Sequence, residues 1–287
     1  MRQELTERSR CGKPIQVGIV GLGSMGLAIA EQLKRVPGMR ISFMADTNRS
    51  ALEHAARLYG KPTHVTTDCY AALDDDKLPC DVLVEATNTI LAAYDYCLAA
   101  IQRNAHCILM NAEVDLVLGH LLRFEAKKHD VIVSSDAGDQ HGVLARMIDE
   151  IQLWGFEIVQ AGNMKGFLDR HRTLAGSIDI AKSLKLNPIQ CLAYTDGSKL
   201  NIEMAIIANQ HGLIPSQTGM LGPKADKVED VMDVFDFDSY EGIGRVDYIL
   251  GAKQHGGGVY VVGHCENDLQ QFYLNYYKVT NKGPYYV

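Results

Sequence analysis

Much is missing from this 287-residue sequence. Its seven cysteines (Cys11, Cys69, Cys80, Cys97, Cys107, Cys191 and Cys265) are odd in number, scattered, and never spaced C-x-x-C. That argues against a structural zinc site or a disulfide framework and suits a reduced, cytoplasmic protein. No apolar run reaches the ~18 residues that span a bilayer, so no membrane partner is expected. Met1 to Lys13 is polar and of mixed charge, which does not read as a signal peptide. Positive charge is not in excess: a net charge of −7 and a pI near 5.8 argue against a nucleic-acid partner. Internal repeats and low-complexity segments are absent too. What remains is a chain of ordinary globular composition, long enough for two domains with cores of their own.

The stretch Ile15 to Gly26, IQVGIVGLGSMG, organises the first of them. An apolar run short enough for a buried parallel strand leads into Gly21, Gly23 and Gly26, spaced G-x-G-x-x-G, and then into a helix-forming segment. The first glycine permits the tight turn, the second lets the backbone approach a pyrophosphate, and the third lets helix and strand pack closely. Ser24 and Met25 open the helix, whose free N–H groups suit phosphate. Asp46 ends a second apolar run about twenty residues further on, where a ribose-binding carboxylate is expected. Asp46 favours NAD. Arg49 could instead hold a 2′-phosphate and favour NADP, so the cofactor's 2′ group stays open.

Strand and helix patterns then alternate to about Glu150. Polar residues stand at the strand tips, where doubly wound sheets bind ligands: Thr87 and Asn88, then Asn111 and Glu113, then the loop Ser134 to Gly142 with Asp136, Asp139, Gln140 and His141. The reading is an α/β fold in which residues 1–150 form a Rossmann dinucleotide-binding domain. Residues 151–287 form a smaller α+β domain for substrate and dimerisation. In that second part Phe156 to Ala161 reads as a strand, Ile178 to Leu184 as helical, and Thr195 onwards as a helix to about His211, with Asp196 near its N-cap. Lys199 and Glu203, four apart, then share a helix face. Leu213 to Pro223 reads as a loop, Glu229 to Asp236 as exposed and acidic, and Gly256 to Gly258 as the lead-in to a strand at Val259 to Gly263.

A Rossmann domain followed by an α+β domain suits a nicotinamide oxidoreductase acting on a small-molecule substrate. Reduction of a carbonyl needs a proton donor and a cation or donor for the developing alkoxide. Lys165 and Lys199 are the candidates, with Asp196 or Glu203 to orient them and Asn163 as a polar neighbour; His141 and His171 rank below them.

The runs GIVGLGSMG, EATNT, MNAEVD, SSDAGDQ, GNMKGFLDR, TDGSKLNIEMAIIAN and GMLGP together resemble the homoserine dehydrogenase-like family, whose members often carry a C-terminal SAF domain. It includes the DXR-like (DRL) form of 1-deoxy-D-xylulose 5-phosphate reductoisomerase. The resemblance implies a cytoplasmic homodimer using NADPH or NADH. For the DRL branch it implies conversion of its substrate to 2-C-methyl-D-erythritol 4-phosphate in isoprenoid synthesis. The sequence stops at Val287 before a SAF domain, as a short member or as a chain that continues. Related reductoisomerases hold a divalent metal on carboxylates after a Rossmann strand. Asp136 and Asp139 stand in a comparable place, which makes Mg²⁺ or Mn²⁺ a candidate. A phosphosugar would need cations, and Lys165, Arg170, Arg172 and Lys199 could supply them. Two further readings stay open: a dehydrogenase acting on homoserine or another hydroxy or oxo acid, and a non-enzymatic dinucleotide-sensing module.

Overall fold

The computed structural model describes residues 1–60, 63–184, 186–253 and 257–287. The chain divides into two compact units, Met1–Asp136 and Ala137–Val287.

The first unit runs α1 (Arg2–Arg10), β1 (Ile15–Val20), α2 (Ser24–Leu33), β2 (Met39–Ala45), α3 (Arg49–Tyr59), β3 (His64–Thr66), α4 (Cys69–Asp74), β4 (Val82–Glu85), α5 (Leu91–Gln102), β5 (His106–Leu109), α6 (Ala112–Lys128) and β6 (Val133–Ser135). The six strands form one sheet in the order β3-β2-β1-β4-β5-β6, every pair parallel. This is the doubly wound arrangement expected from strands that read as unbroken apolar runs, since helices must cover both faces. Two buried clusters result. Ile19, Ile41, Met44, Leu52 and Tyr59 lie in one; Phe43, Leu83, Ile101, Leu109 and Leu122 in the other.

The second unit runs α7 (Gln140–Leu153), β7 (Glu157–Lys165), α8 (Leu174–Leu184), α9 (Pro188–Asp196), α10 (Ser198–His211), β8 (Ile214–Pro215), α11 (Val231–Val234), β9 (Arg245–Leu250), β10 (Gly258–His264), α12 (Asp268–Tyr276), β11 (Asn281–Lys282) and β12 (Tyr285–Tyr286). Its sheet is mixed, in the order β11-β12-β10-β7-β9-β8, with β7 parallel to β9 and antiparallel to β10. One face packs Ala161, Val246, Tyr248 and Val261 against Leu144 and Ile148 of α7 and Leu200, Met204 and Ile207 of α10. The other packs Met164, Ile249, Tyr260 and Val262 against Val231, Met232, Phe235, Phe237 and Tyr240.

Several expectations need correction. The units divide between residues 136 and 137 rather than 150 and 151, because α7 buries Leu144 and Ile148 in the second unit's core. The segment 1–13 holds the nine-residue helix α1. β6 starts at Val133, beyond the turn in which Asp130 takes φ 54°, and Ile132 is exposed. The segment 229–236 is not an exposed acidic run, since Val231, Met232 and Phe235 are buried. Residues 213–223 include the short strand β8, and α9, β9 and α12 went unforeseen. Gly60 ends α3 in the left-handed region. Lys61 and Pro62, which follow Gly60, and Gly256 of the glycine lead-in lie outside the described residues.

Candidate functional site

In the first unit the glycine turn has the geometry its spacing predicts. Gly21 has φ +91°, and a Cβ there would meet the Ala86 backbone at 2.5 Å. A Cβ on Gly26 would strike the Gly21 carbonyl oxygen, which fixes that position as the close contact of helix and strand. Gly23 differs: a Cβ would meet nothing within 4 Å. That open cradle, at the N-cap of α2 and without a capping side chain, fits the pyrophosphate of a dinucleotide. Ser24 and the half-exposed Met25 start the helix beside it.

Asp46 does more than wait for a ribose. Its Oδ2 accepts the Leu22 N–H at 2.6 Å and its Oδ1 the Asn48 N–H at 2.7 Å, so it fixes the glycine turn as well. Asn48 caps α3, whose first residue, Arg49, is exposed. At the tip of β4 a residue missed by sequence reasoning, Glu85, is fully buried. Its Oε1 accepts the Thr87 N–H at 2.8 Å and the Thr87 hydroxyl, while Oε2 has no hydrogen-bond partner among the described residues. Burial pushes the Glu85 carboxyl up to about 7, against the pull of the Thr87 bonds. Asn111 is buried and occupied: it caps α6 through Val114 N–H and donates to the Thr89 carbonyl at 2.6 Å. Asn88 and Glu113 are exposed.

In the second unit three elements converge. Asn163 and Lys165, two apart on β7, share the face that packs on α7 and α10. Asp139 is the N-cap of α7 and Gln140 its first residue. Lys199 and Glu203 stand one turn apart on α10, which starts after Gly197 at φ 96°. The Gln140 Oε1 accepts from Lys165 Nζ at 2.8 Å and from Asn163 Nδ2 at 2.7 Å. The Asn163 amide also donates to Glu203 Oε2 at 3.3 Å. Lys199 Nζ lies 2.9 Å from Asp139 Oδ2 and 3.4 Å from Glu203 Oε1, and 4.7 Å from the centre of the Tyr194 ring. Asn163 and Glu203 are fully buried.

The two lysines therefore differ. Burial acts to lower the Lys199 pKa, but the Asp139 carboxylate and then Glu203 overcome it and hold Lys199 above its ordinary value. Lys165 rests on a neutral amide. Burial lowers its pKa, and the Lys199 charge adds to this against the pull of Glu203. Burial raises Glu203, partly offset by the lysines. Asp139 is held below its usual range by Lys199, which outweighs its burial.

Of the expected catalytic set, Asn163, Lys165, Lys199 and Glu203 come together. Asp196 does not: it ends α9, and its Oδ1 accepts the Ser198 N–H at 2.8 Å across the break at Gly197. Gln140, which joins Asn163 to Lys165, stood inside a noted motif but was given no role. An amide carries no charge signal, and only its place one residue after an N-cap could have found it. His171 is exposed, while His141 is buried on α7. Arg170 donates to the Tyr248 hydroxyl at 2.8 Å, and Arg172 to the Gly176 carbonyl at 2.7 Å.

The expected metal pair is not the group that forms. Asp139, His141 and Glu203 each bring a ligand atom within 4.8 Å of one another, and Asp136 is not among them. The ammonium of Lys199 already stands between the two carboxylates of that group, so the set does not fit a divalent ion while Lys199 keeps its place.

Comparison with known proteins follows the same division. The family described as "Oxidoreductase DRL, catalytic domain" matches residues 138–287, and "Homoserine dehydrogenase, NAD binding domain" matches residues 21–135. No curated protein sequence matches the chain. Among solved structures, a homoserine dehydrogenase from Thiobacillus denitrificans is 19% identical, with a TM-score of 0.52 over 71% of this chain and 50% of its own. The WlbA dehydrogenase from Bordetella pertussis, in complex with NADH and UDP-GlcNAcA, is 17% identical, with a TM-score of 0.42 over 59% of this chain and 50% of its own. The chain spans about half the length of the solved structures it matches. At such identity the homoserine dehydrogenase shows the fold alone. The DRL match covers more than half of the chain, including every member of the lysine network. The chain belongs to the family of DRL oxidoreductases.

Proposed function

We propose that the protein is an NAD(P)H-dependent reductoisomerase of the DRL type, converting 1-deoxy-D-xylulose 5-phosphate to 2-C-methyl-D-erythritol 4-phosphate. The observation that carries this reading is the pair of unlike lysines within a region matched by the DRL catalytic domain. Rearrangement and reduction both pass through oxyanions on carbonyl carbons, and both need a fixed positive charge and a transferable proton. Lys199, paired with Asp139 and Glu203, is the fixed charge. Lys165, with its lowered pKa and a neutral amide as its hydrogen-bond acceptor, is the proton donor to the alkoxide oxygen. Asn163 and Gln140 hold Lys165 in line. The dinucleotide supplies the hydride; the turn Gly21 to Gly26, Asp46, Arg49 and Thr87 would hold it.

The test is loss of nicotinamide absorbance with deoxyxylulose 5-phosphate, with product identified by NMR. Formation of methylerythritol phosphate supports the proposal. Because Lys199 already supplies the cation, turnover is expected without added Mn²⁺; a strict Mn²⁺ requirement would mean that Lys199 leaves the carboxylates.

One observation favours a second reading, a plain dehydrogenase of an unphosphorylated hydroxy or oxo acid. Arg170, Arg172 and Lys199, the cations expected to hold a phosphate, are each engaged by protein acceptors. Turnover of homoserine with NAD(P)⁺, without turnover of the phosphosugar, would select it.

A further inference from the structure

The second unit carries a cavity of about 390 Å³ whose walls include Ser216, Leu221, Val234, Phe235, Tyr240 and Arg245. It lies away from the lysine network. Arg245 pairs with Gln160 across the β7–β9 ladder, whereas Lys165 pairs with Leu250. Five residues of strand, about 17 Å, separate the two ends. The face is also opposite: Val246 and Tyr248 pack toward α7 and α10, so Arg245 and Ile249 point to the other side, where Phe235 and Tyr240 lie.

Arg245 is the feature that calls for a ligand. Its guanidinium stacks 5.4 Å from the centre of the Tyr240 ring. Its Nη1 is buried and has no hydrogen-bond partner among the described residues. Three nearby acceptors are committed. Asp247, on the same strand face, takes the N–H groups of Leu221, Gly222 and Tyr248. The Gln160 Oε1 takes the Tyr240 hydroxyl at 2.6 Å, and the Asp236 carbonyl takes the Ser239 hydroxyl at 2.6 Å. A buried guanidinium donor without an acceptor is costly, and a carboxylate matches its fork geometry. The volume suits a small molecule. The remaining wall is apolar at Leu221, Val234 and Phe235, and the exposed Asp236 at the wall disfavours a doubly charged phosphate.

We propose that this cavity binds a small amphipathic monocarboxylate. Its head group pairs with Arg245 and its apolar body rests on Leu221, Val234 and Phe235. The site is independent of the catalytic reading above.

The test is calorimetric titration of the full chain with isovalerate and, separately, inorganic phosphate, on wild type, Arg245→Met and Arg245→Lys. Isovalerate is expected to bind saturably in the low millimolar range. Arg245→Met should weaken it at least tenfold, and Arg245→Lys, which keeps the charge but loses the fork, about tenfold. Without ligand, Arg245→Met should melt no lower than wild type, since it removes an unpaired buried donor. No saturable isovalerate binding, unchanged binding in either variant, or tighter binding of phosphate than of isovalerate would each overturn the proposal. A lowered melting temperature for unliganded Arg245→Met would also overturn it, by making Arg245 structural. Failure of Arg245→Met to fold is the extreme of that outcome and overturns the proposal too.

Discussion

Lys165 and Lys199 carry the same ammonium in different company, and this makes them separable by experiment. Lys165→Met should lower kcat by about a hundredfold or more, the usual scale of general-acid loss, while leaving dinucleotide affinity unchanged. In the wild type, kcat/KM should fall as pH rises through the Lys165 pKa, at a pH below that of an ordinary lysine near 10.5. A limb at or above the ordinary value would remove Lys165 from the acid role. Glu85 gives a second titration. Its folded pKa, about 7, lies above the ordinary 4.5, so its contribution to stability is fully present below pH 4.5 and is lost as pH rises through about 7. The loss is roughly 3 kcal/mol. Glu85→Gln should flatten that part of the stability curve and melt higher than wild type at alkaline pH; denaturant titrations across the range check it. Asn163, Lys165, Lys199 and Glu203 were legible because charged or amide side chains at strand ends and at i, i+4 spacing announce themselves. Glu85 was not, because a carboxylate closing an apolar run reads as a strand end until its burial is known.

At the scale of elements, the glycine turn separates folding from binding. Gly23 has room for a methyl group and Gly26 does not. Gly23→Ala should therefore leave the melting temperature of the free protein within about 2 °C and abolish the stabilisation given by dinucleotide. Gly26→Ala should destabilise the protein itself. Asp46, which holds the Leu22 amide, should on change to Ala raise KM for both cofactors, that for NADH more; Arg49→Ala should raise KM for NADPH alone. Steady-state kinetics with both cofactors reads these differences. Elements of the first unit were readable because parallel strands buried on both faces are unbroken apolar runs. The second unit was harder. In β9, Arg-Val-Asp-Tyr-Ile-Leu, a buried Asp247 interrupts the pattern, and only three backbone donors make its burial tolerable. The segment holding α11 hides Val231, Met232 and Phe235 among four acids, none of them buried.

Among the described residues, two buried clusters fall within the first unit and three within the second. Calorimetry should show two transitions. Dinucleotide at a hundredfold excess over its Kd should raise only the first unit's, by on the order of 5–10 °C; a single transition shifting as one would contradict this. The order of strands in the second sheet also sets a timetable for synthesis. β7 lies in the middle, yet both of its neighbours are made after it, β9 ending at Leu250 and β10 at His264. At ribosomal speeds of about 5–20 residues per second, roughly 5–20 seconds pass before both edges of β7 can be paired. Through that interval its backbone edges are open to pairing with other chains, and slowing translation between β7 and β9 should cost more soluble protein than slowing it anywhere in the first unit.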